Sequence, residues 1–159
     1  MNDSVEAAFS VRRIMVPVDG SENAGRALRV GVELAKKFDA TLFVLTVTPR
    51  NVTVQGVASE YMGDSGAMQM YYDEMDRRSE RILADSTDLA RKSGLTDVRT
   101  EAIPEFDSVT KQILEYAEKE KTDLIVIGTR GLSSFKKLFL GSVSSGVVTQ
   151  AHCNVMVVR

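Results

Sequence analysis

Short apolar stretches recur along the chain, and each has the length of a β-strand. Ile14–Val18, Thr41–Val47 and Leu124–Ile127 are nearly continuous apolar runs, which is typical of strands buried on both faces of a parallel sheet. Asp97–Ile103 alternates between polar and apolar residues and predicts an exposed edge strand. Asn154–Arg159 carries apolar residues on both faces and predicts the last strand.

The segments between these strands carry apolar residues three or four positions apart, which is the spacing of an amphipathic helix. Residues 50–66 lack such a period, and we interpret them as a mobile loop. The predicted helices run from about Ala24 to Phe38, from Ala67 to about Ser93 with Gly94 as the C-cap, onward from a cap at Asp107 or Ser108, and from an N-cap at Ser142.

Strands and helices therefore alternate, which predicts an α/β protein with a doubly wound five-stranded parallel sheet and helices on both faces. The expected strand order is 3-2-1-4-5, so the direction of winding reverses between strands 1 and 4. Ligands of such sheets bind at the carboxyl ends of the strands beside this reversal. Strand 1 ends in Asp19 and strand 4 ends in Gly128, so both residues are expected at one crevice.

Composition narrows the class of protein. The 159 residues are 43% hydrophobic and 26% charged, with a net charge of −2, which fits a single globular domain. The absence of a long basic run argues against nucleic acid as a partner, and no apolar run reaches the roughly 18 residues of a membrane helix. Residues 1–10 are polar and predict a flexible tail before a domain at 11–159. With one cysteine, Cys153, we expect a cytoplasmic protein.

A glycine-rich loop follows the strand Leu124–Ile127. Gly128 and Gly131 follow the strand, and Gly141 with Ser142 opens the last helix. Glycines allow backbone N–H groups to approach a ligand closely, and a helix N-terminus adds unpaired N–H groups and a positive dipole end. This arrangement predicts an anion cradle that holds the phosphates of a nucleotide.

Other nucleotide-binding and catalytic motifs do not occur in the sequence. It contains neither the lysine-led phosphate loop of P-loop ATPases nor the Gly-x-Gly-x-x-Gly dinucleotide fingerprint. No histidine–carboxylate pair or metal-ligand cluster is apparent, so we assign no catalytic residue and no metal-binding residue. His152 precedes a strand on the far side of the last helix, and Cys153 is interpreted as a small buried hydrophobe.

Three motifs closely resemble the nucleotide-binding branch of the universal stress protein family. They are the opening Ile14–Ser21 (IMVPVDGS), the spacing Gly-x-x-Gly, nine residues, Gly-Ser that begins at Gly128, and the ending His152–Arg159 (HCNVMVVR). The resemblance covers nearly the whole chain beyond the tail. It implies an adenine nucleotide alpha hydrolase-like fold and a cytoplasmic, usually dimeric, stress-linked regulator that binds ATP or another adenine nucleotide.

The resemblance also implies which residues contact the nucleotide. Asp19 would contact adenine or ribose, and Val47 would contact adenine through its backbone. Arg130 stands where many relatives have histidine and would add a positive charge near the phosphates. Any Mg²⁺ or Mn²⁺ would be held through the phosphates. The full set of expected nucleotide-binding residues is Pro17, Val18, Asp19, Val47, Ile127, Gly128, Arg130, Gly131, Gly141, Ser142 and Val143.

Three functions remain open at this point. The first is a regulator whose ATP occupancy changes its loops and controls an unknown protein partner. The second is a slow ATP hydrolase, which a phosphate-release assay would distinguish. The third is a nucleotide-free interaction dimer, which the glycine pattern disfavours. A homodimer is expected through residues 154–159, because an apolar strand at the edge of a sheet needs a cover.

Overall fold

A computed structural model describes residues 10–50, 65–130 and 140–159 of the chain. Its strands form one parallel sheet in the order β3-β2-β1-β4-β5. The predicted fold class and strand order are therefore confirmed. The expected tail and the expected mobile loop fall almost entirely outside the described residues. The strands are β1 (Arg13–Pro17), β2 (Thr41–Thr48), β3 (Val98–Pro104), β4 (Leu124–Gly128) and β5 (Asn154–Val158).

Helices pack on both faces of this sheet. The described part of the chain contains α1 (Glu22–Phe38), α2 (Ser65–Lys92), α3 (Val109–Lys119) and α4 (Ser142–Gln150). One hydrophobic cluster joins α1 and α2 to the sheet, and a second joins α3 and α4 to the opposite face. No helix within the described ranges is long and apolar enough to cross a membrane.

The helix boundaries follow from capping residues in the sequence. Ser21 caps α1, because its hydroxyl oxygen accepts the N–H of Ala24 at 3.2 Å. Ser108, rather than Asp107, caps α3 in the same way through the N–H of Lys111. After α2, Gly94 takes a φ of +85°, a left-handed conformation that glycine adopts at little cost.

The central strand β1 pairs unequally with its two neighbours. It pairs with β2 along its whole length, but with β4 at only two positions, Ile14 opposite Leu124 and Met15 opposite Ile125. Pro17 lies beyond this short ladder, so its missing N–H removes no bond to β4. Past Met15 the two strands separate, and a gap opens between their carboxyl ends.

Gly31 allows α1 to lie close to β1. A β-carbon added at Gly31 would be 2.5 Å from a methyl carbon of Val16, which is fully buried and β-branched. Gly25, on the same helix, has no atom nearer than 4.0 Å to such a β-carbon. Alanine should therefore be excluded at Gly31 and accepted at Gly25.

We expect Gly31→Ala to lower the free energy of unfolding by about 1–3 kcal/mol, because the added methyl group overpacks the core. The matched variant Gly25→Ala should be neutral or stabilising, by up to about 1 kcal/mol, because alanine favours the helix. Urea unfolding followed by circular dichroism measures both. Equal stability of the two variants would contradict this account of the α1–β1 contact.

Candidate functional site

A cleft of about 350 Å³ lies at the carboxyl ends of β1, β2 and β4. The structure brings together there every expected nucleotide-binding residue except Gly131, which lies outside the described residues. Their role as nucleotide contacts stays a prediction. The residues that line the cleft are Pro17, Val18, Asp19, Ala24, Leu45, Val47, Pro49, Val109, Ile113, Ile127, Gly128, Arg130, Gly141, Ser142, Val143 and Ser144.

Several lining residues were not anticipated from the sequence. Leu45 lies two residues before Val47 and therefore on the same face of β2, a signal that strand periodicity could have provided. Val109 and Ile113 belong to α3, one helical turn apart, and reach the cleft only through tertiary packing. Ser144, in the first turn of α4, also lines the cleft.

One wall of the cleft is a strand whose backbone extends past its neighbour. The N–H of Val18 donates to the carbonyl of Leu45 at 2.8 Å, which is the last bond between the β1 and β2 segments in the described chain. In a parallel strand, residues two apart direct their backbone groups to the same side. Val47 therefore directs its N–H and C=O toward the β1 side, beyond the point where β1 ends.

The turn after β1 presents an acidic side chain to the cleft. Asp19 Oδ1 accepts the N–H of Ser21 at 2.9 Å, which orients the carboxylate within the turn. Gly20 has a φ of +82°, and a β-carbon there would lie 3.2 Å from a side-chain carbon of Ile82 on α2. The turn is thus fixed by the hydrogen bond between Asp19 and Ser21 and by the packing of Ile82 against Gly20.

Gly128, at the end of β4, is required by a close approach of the chain. A β-carbon at this position would lie 2.8 Å from the backbone carbon and oxygen of Asn23, in the first turn of α1. Backbone atoms in a helix cannot move aside as a flexible side chain can. The glycine therefore has a packing role that is independent of any ligand.

The last helix begins differently from the sequence-based expectation. Gly141, rather than Ser142, is the N-cap of α4, with extended dihedral angles of −63° and 161°, so the prediction of Ser142 as cap was wrong. Gly141 has no side chain with which to cap the helix. Within the described residues, α1 and α3 have serine caps, whereas the first turn of α4 faces the cleft without one.

The charges of the cleft are few. Asp19 and Arg130 are the only charged residues among its described lining residues, and neither histidine nor cysteine lines it. No cluster of three potential metal ligands occurs among the described residues. His152 is exposed and lies two residues before the start of β5, at the end of the sheet opposite the cleft. The described lining residues thus provide backbone amides, two serine hydroxyls, one carboxylate and one guanidinium.

A sequence profile described as the universal stress protein family matches residues 10–159. The chain therefore belongs to the universal stress protein family, and the resemblance seen in the sequence is confirmed. Universal stress protein MJ0531 of Methanocaldococcus jannaschii is 30% identical to it over 148 residues, which cover 93% of this chain and 82% of that protein.

Solved structures agree with this assignment. Universal stress protein UspA from Lactobacillus plantarum has a TM-score of 0.80 and 25% identity, covering 94% of this chain and 99% of that one. A universal stress protein solved in complex with cAMP has a TM-score of 0.70 and 24% identity, covering 94% and 98% of the two chains. The second comparison shows a shared fold.

Cys153 lies away from the cleft and is partly buried beside β4. Burial raises the pKa of its thiol, and the Asp123 carboxylate raises this pKa further. A raised pKa leaves less of the reactive thiolate at neutral pH.

We therefore expect iodoacetamide to alkylate native Cys153 more slowly at pH 8 than it alkylates the same protein unfolded in urea. Mass spectrometry of timed samples measures both rates, and the unfolded chain is the control for intrinsic reactivity. A native rate equal to or above the unfolded rate would show that the thiol is activated rather than suppressed.

Proposed function

We propose that this member of the universal stress protein family binds an adenine nucleotide, with ATP as the expected ligand, and acts as a stress-response regulator. The observation that carries the proposal is the meeting, in one cleft, of the end of β2 and the N-terminus of α4. Among the described residues, the first has no strand partner on the β1 side and the second has no side-chain cap. The first suits the edge of a base, and the second suits phosphates. Both features offer main-chain groups to the ligand. A motif rich in glycine suits such a site, because glycine lets the backbone approach a ligand closely.

The base would bind between β2 and α3. Leu45, Val109 and Ile113 supply apolar surface there, and a planar aromatic ring gains by burial against such surface. The backbone N–H and C=O of Val47 offer a donor and an acceptor side by side, which matches the adjacent acceptor and donor on the edge of adenine. Asp19 lies across the cleft as an acceptor for ribose hydroxyl groups.

The phosphates would bind at the start of α4. The N–H groups of Ser142 and Val143 lie in the first helical turn, which has no intrahelical acceptor for them. The positive end of the helix dipole favours an anion at the same place. Arg130, at the other side of the loop, lines the same cleft and contributes a positive charge.

The complex of a universal stress protein with cAMP supports an adenine nucleotide as the class of ligand. The hydrogen-bond donors of the cleft also fit a nucleoside triphosphate. Backbone amides and a guanidinium bind phosphate oxygens, and a Mg²⁺ or Mn²⁺ ion would then be carried by the phosphates themselves.

The chemistry of the described lining residues supports regulation rather than turnover as the proposed role. Asp19 is the one carboxylate among them and is engaged with its own turn, so no histidine or paired carboxylate there stands ready as a general base. Binding alone would then be the output. A nucleotide that binds one arrangement of the surrounding loops more tightly than another shifts their populations and changes the surface offered to a protein partner.

A negative charge introduced at Gly141 tests the phosphate-binding half of this site. We expect Gly141→Asp to weaken ATP binding on the order of a hundredfold relative to Gly141→Asn, because like charges placed in contact cost several kcal/mol. Both side chains are good N-caps, so the folded state should be as stable as that of the native chain or slightly more stable. Calorimetric titration with ATP and urea unfolding measure the two effects.

Adenosine is the internal control, because it lacks phosphates and should bind both variants and the native chain alike. ATP affinity unchanged by Gly141→Asp would remove α4 from the site. Loss of adenosine and ATP together would indicate a general disturbance of the cleft.

We also propose that the protein is a homodimer through residues 154–159. β5 pairs with β4 on one side, and no strand of the described residues pairs with its other edge. Met156 is 39% exposed there, and Val148 of α4 is 45% exposed. An open edge with apolar side chains is an aggregation hazard, and antiparallel pairing with a second copy across a two-fold axis would cover it.

Val157 offers a selective test of this pairing. The carbonyl of Val158 accepts the N–H of Thr129 at 2.9 Å, so Val158 directs its backbone toward β4 and Val157 directs its own toward the open edge. Val157→Pro removes an N–H that forms no bond to β4, and we expect a folded monomer by light scattering. Val157→Ala loses comparable packing but keeps the N–H and should remain dimeric. A dimeric proline variant would place the interface elsewhere.

A further inference from the structure

Ser144 makes an unusual pair of contacts at the base of the glycine loop. Its side chain is buried, with 3% of the residue exposed, in the first turn of α4. The hydroxyl Oγ lies 2.9 Å from the carbonyl oxygen of Thr129 and 3.0 Å from that of Gly141. A single O–H is thus directed at the carbonyls of the two residues on which the loop begins and ends.

Each of these carbonyls also has a backbone donor. The N–H of Gly141 donates to the carbonyl oxygen of Thr129 at 2.8 Å, and the N–H of Ser145 donates to the carbonyl oxygen of Gly141 at 2.9 Å. Thr129 is held from the other side as well, since its N–H donates to the carbonyl of Val158. Loss of the Ser144 hydroxyl would therefore leave neither carbonyl without a donor, which leaves a more specific role for this hydroxyl.

That role concerns the direction of the two carbonyls. A carbonyl oxygen carries negative partial charge and would repel a phosphate if it turned toward the cleft. The Ser144 hydroxyl attracts both oxygens to one point. The three groups lie side by side, since a β-carbon at Gly141 would be in ordinary van der Waals contact with the Thr129 oxygen at 3.4 Å and with Ser144 Oγ at 3.6 Å.

We infer that Ser144 is a positioning residue for the phosphates of the bound nucleotide, an inference that rests on the proposed function. Its hydroxyl holds the end of β4 to the start of α4 and keeps the Thr129 and Gly141 carbonyls away from the anion. The N–H groups of Ser142 and Val143 then remain directed at the phosphates. Ser144 acts through these neighbours and needs no contact with the ligand.

Ser144→Ala should weaken ATP binding about three- to tenfold, because loss of one hydrogen bond lowers the fraction of molecules with the cradle in its binding arrangement. Adenosine binding should not change. The matched control is Ser145→Ala on the next residue of the same helix, whose side chain is exposed. Ser144→Cys keeps nearly the same shape with a weaker donor and should show the same selective loss for ATP.

Calorimetric titration of the four proteins with ATP and with adenosine, together with thermal unfolding, separates the outcomes. An equal ATP affinity of the Ser144 and Ser145 variants would overturn the inference and leave the proposed function intact. Equal losses for ATP and adenosine would also overturn it, since they would reflect general packing. A native protein that binds neither ligand would instead refute the proposed function itself.

Discussion

The short pairing between β1 and β4 is the constraint on which the site depends. After Met15 and Ile125 the two strands separate, and the chain leaves them toward opposite faces of the sheet. Pro17 has no N–H with which to continue the ladder. The first turn of α1 then passes so close to β4 that Gly128 has no room for a side chain. The gap is thus closed on one side by the contact between Gly128 and Asn23, and it is open on the other side, where the cleft lies.

The three helices that begin around this gap contribute unequally to it. The helices α1 and α3 each have one first-turn N–H bonded to a serine side chain, that of Ala24 to Ser21 and that of Lys111 to Ser108. The helix α4 begins at Gly141, and replacing a good N-cap by glycine costs only a few tenths of a kcal/mol. A small loss of helix stability therefore leaves one set of amides for a ligand. This difference, rather than an excess of positive charge, marks the end of the cleft that suits phosphates.

The sequence predicted those features that depend on local pattern. Apolar runs and helical spacing predicted the strand order, and Asp19 and Gly128 line one cleft, as expected. The cap of α4 was misassigned by one residue, because serine is a good cap by propensity and the choice depends on backbone dihedral angles. The individual contacts between distant segments were not predictable from these patterns. Gly128 against Asn23 and Ser144 against Thr129 join parts of the chain that no single period connects.

The segment that follows β4 also connects two surfaces of the protein. Thr129 donates its N–H to Val158, at the end of β5, and its carbonyl accepts from Gly141 and Ser144 of the cradle. The proposed dimer edge and the proposed phosphate site are thus joined through a single residue. Coupling between two sites requires an element whose arrangement both of them bias, and distance alone does not supply one. Because Thr129 bonds to both elements, a displacement of β5 and a displacement of the start of α4 act on the same peptide groups.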